Sequence, residues 1–198
     1  MKKEYLSHDK LLEKLNNQSH ATLIIVGRNG SGKTYLSRQI QNSLLDNTGF
    51  YTINENVQFT DANPFNSDDY KNAIIHKVVH STGESLYNQI LDTMNTKDNI
   101  ILDEPTATLD LLNSSIIIES FIRHNGKIKI ITTNDYLTLK LLSDYISSAY
   151  NVETGTFVQI KDYINDLIDE TINTLSDLPF EMIPINNYNK LKETYARG

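Results

Sequence analysis

Eight residues, Gly27-Arg28-Asn29-Gly30-Ser31-Gly32-Lys33-Thr34, stand directly behind the apolar run Leu23-Ile24-Ile25-Val26. Leu36, Ile40 and Leu44 then recur at helical spacing. The order is therefore buried strand, glycine-rich loop, helix. Gly27, Gly30 and Gly32 let the backbone curl until successive N–H groups point inward at an anion. Lys33 adds a cation, and the Thr34 hydroxyl is a ligand for Mg²⁺. The helix that starts near Lys33 aims its positive end at the same place. Arg28, Asn29 and Ser31 complete the cradle. The whole segment reads as a phosphate-binding loop rather than a glycine-rich turn with a chance lysine.

A chain of 198 residues suffices for one domain with a substantial core. It has no cysteine, which excludes disulfides, thiolate chemistry and cysteine-built zinc sites. Its start, Met1-Lys2-Lys3-Glu4-Tyr5, is followed by no long apolar stretch, so no signal peptide is expected. No run reaches membrane-spanning length, and the expected location is the cytoplasm. A net charge of −7 does not support broad binding to a nucleic-acid backbone, although a local basic patch would be hidden in the total.

The pattern predicts a short helix over 9–18, a first strand over 22–26, and a second strand at Phe50-Tyr51-Thr52-Ile53. Residues 54–70, rich in Asn, Asp, Ser and Pro, read as a loop, followed by a helix around 70–79. Leu86, Ile90, Leu91 and Met94 predict a helix over 85–96. Asn99 to Leu102 and Lys127 to Thr132 read as strands, with a helix at 111–123 between them. Ile146 to Tyr150 and Thr156 to Ile160 flank Asn151-Val152-Glu153-Thr154-Gly155, a hairpin signal. Tyr163, Ile164, Leu167, Ile168, Thr171, Ile172 and Leu175 line one side of a closing acidic helix, expected to dock with a solvated face. The expected class is α/β: a P-loop NTPase fold, its mostly parallel sheet covered by helices on both faces, with a C-terminal helix.

A second motif ends the strand at Asn99 to Leu102 with two carboxylates, Asp103 and Glu104. In open α/β sheets ligands sit beyond the carboxyl ends of strands, where the phosphate loop also lies. Asp103 is thus expected to face a metal, directly or through water, and Glu104 to polarise an attacking water as general base. The alternative is a strand that merely ends in an acidic turn.

From here the chain resembles the ATP-binding-cassette ATPases. Asp103-Glu104-Pro105-Thr106-Ala107-Thr108-Leu109-Asp110 is similar to their Walker B segment and D-loop. Ser81-Thr82-Gly83-Glu84 resembles their signature motif Leu-Ser-Gly-Gly-Gln, with His80, Thr82 and Glu84 departing from it. Taken alone, that tetrapeptide would also serve as a helix cap. The resemblance runs with gaps over about 22–160. It implies ATP and Mg²⁺ as ligands, Thr34 and Asp103 at the metal, and Glu104, Lys33 and Asn134 in catalysis. It also implies that Ser81, Gly83 and Glu84 close on the γ-phosphate held by an opposite subunit. The implied assembly is an ATP-dependent head-to-tail homodimer, with Asp110 reaching across the interface.

Three departures qualify the resemblance. Asn134 stands where the family has a switch histidine; an amide can donate to a phosphate oxygen but cannot become cationic. It is therefore read as a neutral sensor, or as a cap for a helix over 136–142, a task Asp135 could equally fill. Residues 34–80 alone separate Lys33 from Ser81, too few for the family's full helical subdomain that grips a membrane partner, so the resemblance implies a reduced helical subdomain. Gln58, in the polar loop, is the candidate Q-loop residue and metal contact, or an ordinary solvated glutamine. The segment before the loop is too short for the family's adenine-stacking subdomain, which leaves Tyr5 as an adenine stacker or a residue packed on the core. His76 and His80 share a helix spacing but no metal-ligand pattern.

These features describe an ATPase domain over 1–178, with a short signature-bearing helical insertion at about 54–95 and a tail over 179–198. The expected function is a soluble cassette that dimerises around ATP and drives a change in a protein partner, in DNA maintenance, defence or toxin control. The alternatives are a transporter's nucleotide-binding subunit, which meets the membrane only through a permease, and a slow ATP-dependent switch. A P-loop kinase would not need the segment 103–110.

Overall fold

The computed structural model describes residues 5–44, 47–52 and 82–176. The chain divides into two compact units, Met1–Ile164 and Asn165–Gly198. In the first unit, a helix α1 (His8–Asn16) precedes the strand β1 (Ala21–Val26), and α2 (Lys33–Ser43) follows the loop. Next come β2 (Thr48–Thr52), α3 (Thr82–Thr96), β3 (Asn99–Asp103), α4 (Leu111–Arg123), β4 (Ile128–Thr132) and α5 (Tyr136–Ser143). The hairpin β5 (Ser148–Asn151) and β6 (Thr156–Gln159) leads into α6 (Ile160–Ser176), which crosses the unit boundary.

The sheet has six strands in the order β2-β3-β4-β1-β5-β6. All neighbours are parallel except β5 and β6. This is an α/β architecture with a mostly parallel sheet, compatible with the expected class. Strands buried on both faces need unbroken apolar runs, and β1 and β3 have them: Ile24, Ile25, Val26, Ile100, Ile101 and Leu102 are all buried. Leu11 and Leu15 of α1 and Leu36 and Ile40 of α2 share one core cluster with Leu23, Ile25, Ile101 and Ile130. Ile24, Ile100, Leu102 and Ile131 point to the opposite face by alternation and are buried too. Ile117, Ile118 and Phe121 of α4, with Leu139 and Leu142 of α5, add further buried side chains.

Several expected boundaries shift. The first helix ends at Asn16 rather than 18, where Asn17 turns back and its N–H bonds to the carbonyls of Glu13 and Leu15. Leu44 lies just past α2, as its C-cap. The hairpin strands are Ser148–Asn151 and Thr156–Gln159, not 146–150 and 156–160. Ile160 opens α6, and its N–H, which has no acceptor within the helix, bonds to the Ser147 carbonyl at 2.9 Å. Within the turn, Asn151 Oδ1 accepts the N–H groups of Glu153 and Thr154, and Gly155 takes φ 62°. Ile90 and Met94 of α3 are buried, as their spacing predicts. Ile53, the expected loop over 54–70 and the helix around 70–79 lie outside the described residues. Tyr163 and Ile164 are buried.

Candidate active site

β4 is inserted between β1 and β3. The glycine-rich loop after β1, the acidic pair after β3 and the segment after β4 therefore leave the sheet side by side at its carboxyl edge. The register sharpens this. Thr52 pairs with Asp103, and Asp103 with Thr132, in one row across β2, β3 and β4. Side chains in one row share a face, so Asp103 has a threonine on either side.

Gly32 caps α2 at φ 97°, and no side chain closes that helix end. Its first N–H groups therefore stay directed into the loop, as an anion site requires. Gly27 is needed for a different reason. A Cβ there would lie 2.5 Å from Ser31 Oγ and 2.7 Å from Val152 Cγ1, because the β5–β6 turn is packed against the loop. The Arg28 N–H donates to Glu153 Oε1 of that turn at 2.8 Å, and the Arg28 guanidinium lies 4.0 Å from Oε2.

Lys33 is buried. Its Nζ donates to the carbonyls of Gly27 at 2.8 Å and Arg28 at 3.2 Å, and pairs with Glu104 Oε1 at 3.2 Å. Glu104 holds φ 51°, a left-handed conformation unusual for a residue with a Cβ. Its N–H is shared between the Thr132 carbonyl at 3.1 Å and Thr132 Oγ1 at 3.3 Å. Burial pushes the Glu104 carboxyl above its ordinary range; Lys33 opposes that, the Asp103 charge adds to it, and the Asn134 backbone N–H opposes it. A carboxyl that is harder to ionise is a stronger base once ionised.

Asp103 is fully buried. Its Oδ2 accepts the hydroxyls of Thr34 at 2.8 Å and Thr52 at 3.0 Å, and Oδ1 accepts the Thr132 hydroxyl. Thr34 and Asp103 thus offer two hard oxygen donors side by side, a set that fits Mg²⁺, whose remaining positions are normally taken by phosphate and water. Asn134 Nδ2 donates to Asn29 Oδ1 at 2.7 Å. Asp135, rather than Asn134, caps α5, its carboxylate accepting the Thr138 N–H at 2.7 Å. The Asn134 side chain therefore joins the end of β4 to the glycine-rich loop.

The other expected site residues are more dispersed. Arg28, Asn29 and Gly30 are exposed on the loop, and Ser31 is half-buried. Asp110 is exposed and caps α4, accepting the Asn113 N–H at 2.8 Å. Gly83 and Glu84 fall in the first turn of α3. Ser81 and Gln58 lie outside the described residues. Tyr5 is 68% exposed, bridges to Thr156 and sits against Gly155 rather than in the core. Sequence reasoning missed Thr52, Thr132 and Glu153. The signal for the two threonines was available: each is a hydroxyl residue that closes a strand at the same edge as Asp103.

No protein-family model matches the chain, and no curated protein matches it. Among solved structures, one described as a metal-chelate type ABC transporter in an inward-facing conformation is similar, with 15% identity over 74% of this chain and 74% of that one, at a TM-score of 0.40. A likeness of that degree carries no weight for activity. Among the described residues no helix is long and apolar enough to cross a membrane.

Proposed function

We propose that this chain is an ATPase of the ATP-binding-cassette type in minimal form. The observation that supports this most is the meeting of Lys33, Glu104, Asp103 and Thr34 within hydrogen-bond distance at one sheet edge. The loop amides and the open end of α2 would hold the β- and γ-phosphates. Lys33 would exchange its contact with Glu104 for phosphate oxygens, freeing that carboxylate to take a proton from the attacking water. Thr34 and Asp103 would hold Mg²⁺, which when bound neutralises phosphate charge. Asn134, already bonded to Asn29, would report the loop's state as a neutral donor. Ser81, Gly83 and Glu84 would close on the nucleotide of a second copy, with Asp110 across the same interface, and Gln58 would approach the metal. The domain would run over 1–178 with a tail at 179–198. The output would be a conformational change passed to a protein partner in the cytoplasm.

Asn134 favours one second reading, a switch that binds ATP and turns it over slowly, because no cation can form at that position. Light scattering with ATP and Mg²⁺ tests the clamp. Glu104→Gln should keep nucleotide and lose the base, trapping a dimer, with turnover down about 10²- to 10⁴-fold. A monomer in both proteins at saturating ATP would remove the self-clamp. Wild-type turnover as slow as that of the variant would favour the switch.

A further inference from the structure

We infer that Thr132 is a positioning residue for both carboxylates, an assignment that rests on the function proposed above. Its hydroxyl is buried at the end of β4 and has one proton to give and lone pairs to offer. The proton goes to Asp103 Oδ1, and a lone pair receives the Glu104 N–H at 3.3 Å. One oxygen thus links the side chain of the metal-facing acid to the backbone of the base.

The consequence concerns Glu104 more than Asp103. Asp103 keeps two further donors, Thr34 and Thr52, on its other oxygen. Glu104 depends on its backbone conformation, since φ 51° is what turns the side chain back to Lys33 at 3.2 Å. A residue with a Cβ persists in that conformation only where its surroundings hold it. Here the holder is the Thr132 peptide and hydroxyl together: the carbonyl supplies the last rung between β3 and β4, and the hydroxyl adds a second acceptor beyond it. Valine has the same outline and lacks only the hydroxyl. It would leave the rung, strip Asp103 Oδ1 of its donor and loosen Glu104.

Thr132→Val and Thr132→Ser decide this, with the fold of each checked by thermal melting. In nucleotide-free protein, the Glu104 amide should exchange its hydrogen about five- to tenfold faster in Thr132→Val, the equivalent of one lost hydrogen bond. With ATP and Mg²⁺, kcat should fall about 10- to 100-fold while KM stays within about twofold, because positioning is lost and binding is not. Thr132→Ser should restore both. Unchanged amide exchange in Thr132→Val overturns the assignment, as does a serine variant that behaves like valine, or a KM that rises as kcat falls. If wild type hydrolyses no ATP, the proposed function fails on that ground alone. The exchange rates then still decide whether the hydroxyl holds Glu104.

Discussion

Polar groups gather at both edges of the central strands β1, β3 and β4, but the two edges use them differently. At the amino edge, polar groups close on main chain. Asn99 Oδ1 accepts the Ile128 N–H at 3.1 Å, the Lys127 N–H reaches the Asp98 carbonyl at 3.0 Å, and the Ala21 N–H reaches the Lys127 carbonyl at 2.7 Å. Gly126 allows this seal, since a Cβ there would lie 2.1 Å from the Asp98 carbonyl oxygen. At the carboxyl edge, main-chain bonds are joined by contacts between side chains of different segments, three of them charged: Lys33, Asp103 and Glu104. Backbone pairing completes a fold and leaves nothing over for a ligand. A charged cluster costs desolvation, which marks this edge as the candidate for ligand binding. Under the proposed function, the comparison assigns stability to one edge and chemistry to the other.

The strongest attempt to break it is Lys33→Ala. Removing the cation from the carboxyl edge should weaken ATP binding about 10²-fold by calorimetry, with the amino edge unaffected. Wild-type affinity in that variant would show that the carboxyl edge is not the phosphate site. Asn99→Ala is the mirror test. It strands the Ile128 N–H in a buried place and should cost about 1–3 kcal/mol in urea unfolding, while nucleotide affinity holds. Lost affinity in a protein that stays stable would mean the edges are not separable.

Glu153→Ala asks whether the hairpin turn belongs with the carboxyl edge. The Arg28 N–H would lose its acceptor and the loop one of its supports, so affinity for ATP should drop about two- to tenfold, in line with one hydrogen bond. No change on titration would assign the turn to the scaffold. The smallest effect concerns His124 at the amino edge, where burial pulls the imidazole below 6.5. As pH falls through 6.5 the unfolded chain takes the proton first, so acid should erode stability in that window. Melting between about pH 7.5 and about pH 5.5 should show a shallower loss in His124→Gln than in wild type. Parallel curves would mean His124 titrates alike in both states.

Much of the fold was legible because its signals are local. The runs Leu23 to Val26 and Asn99 to Leu102, the helical spacing of Leu36 and Ile40, and the turn at Asn151 to Gly155 each appear where the residues predict them. The errors sit at element ends, as at Ile160, expected at the end of the second hairpin strand but found opening α6. The site was legible in part. Lys33, Thr34, Asp103 and Glu104 belong to contiguous motifs whose chemistry shows in their order. Thr52, Thr132 and Glu153 belong to no motif; they matter through strand register and a turn 125 residues away in sequence.

The sequence by itself determined the strand–loop–helix unit, the two carboxylates that close β3, and the α/β class, because each follows from short-range periodicity and residue chemistry. Only the tertiary structure decided that β4 enters between β1 and β3, which sets Thr132 between the acids and brings Asn134 to Asn29. It also decided that Asp135, not Asn134, caps α5, and that Glu104 turns back on Lys33. Strand order is settled by packing among residues far apart in the chain, so the partners it brings together leave no mark on the local pattern of either one.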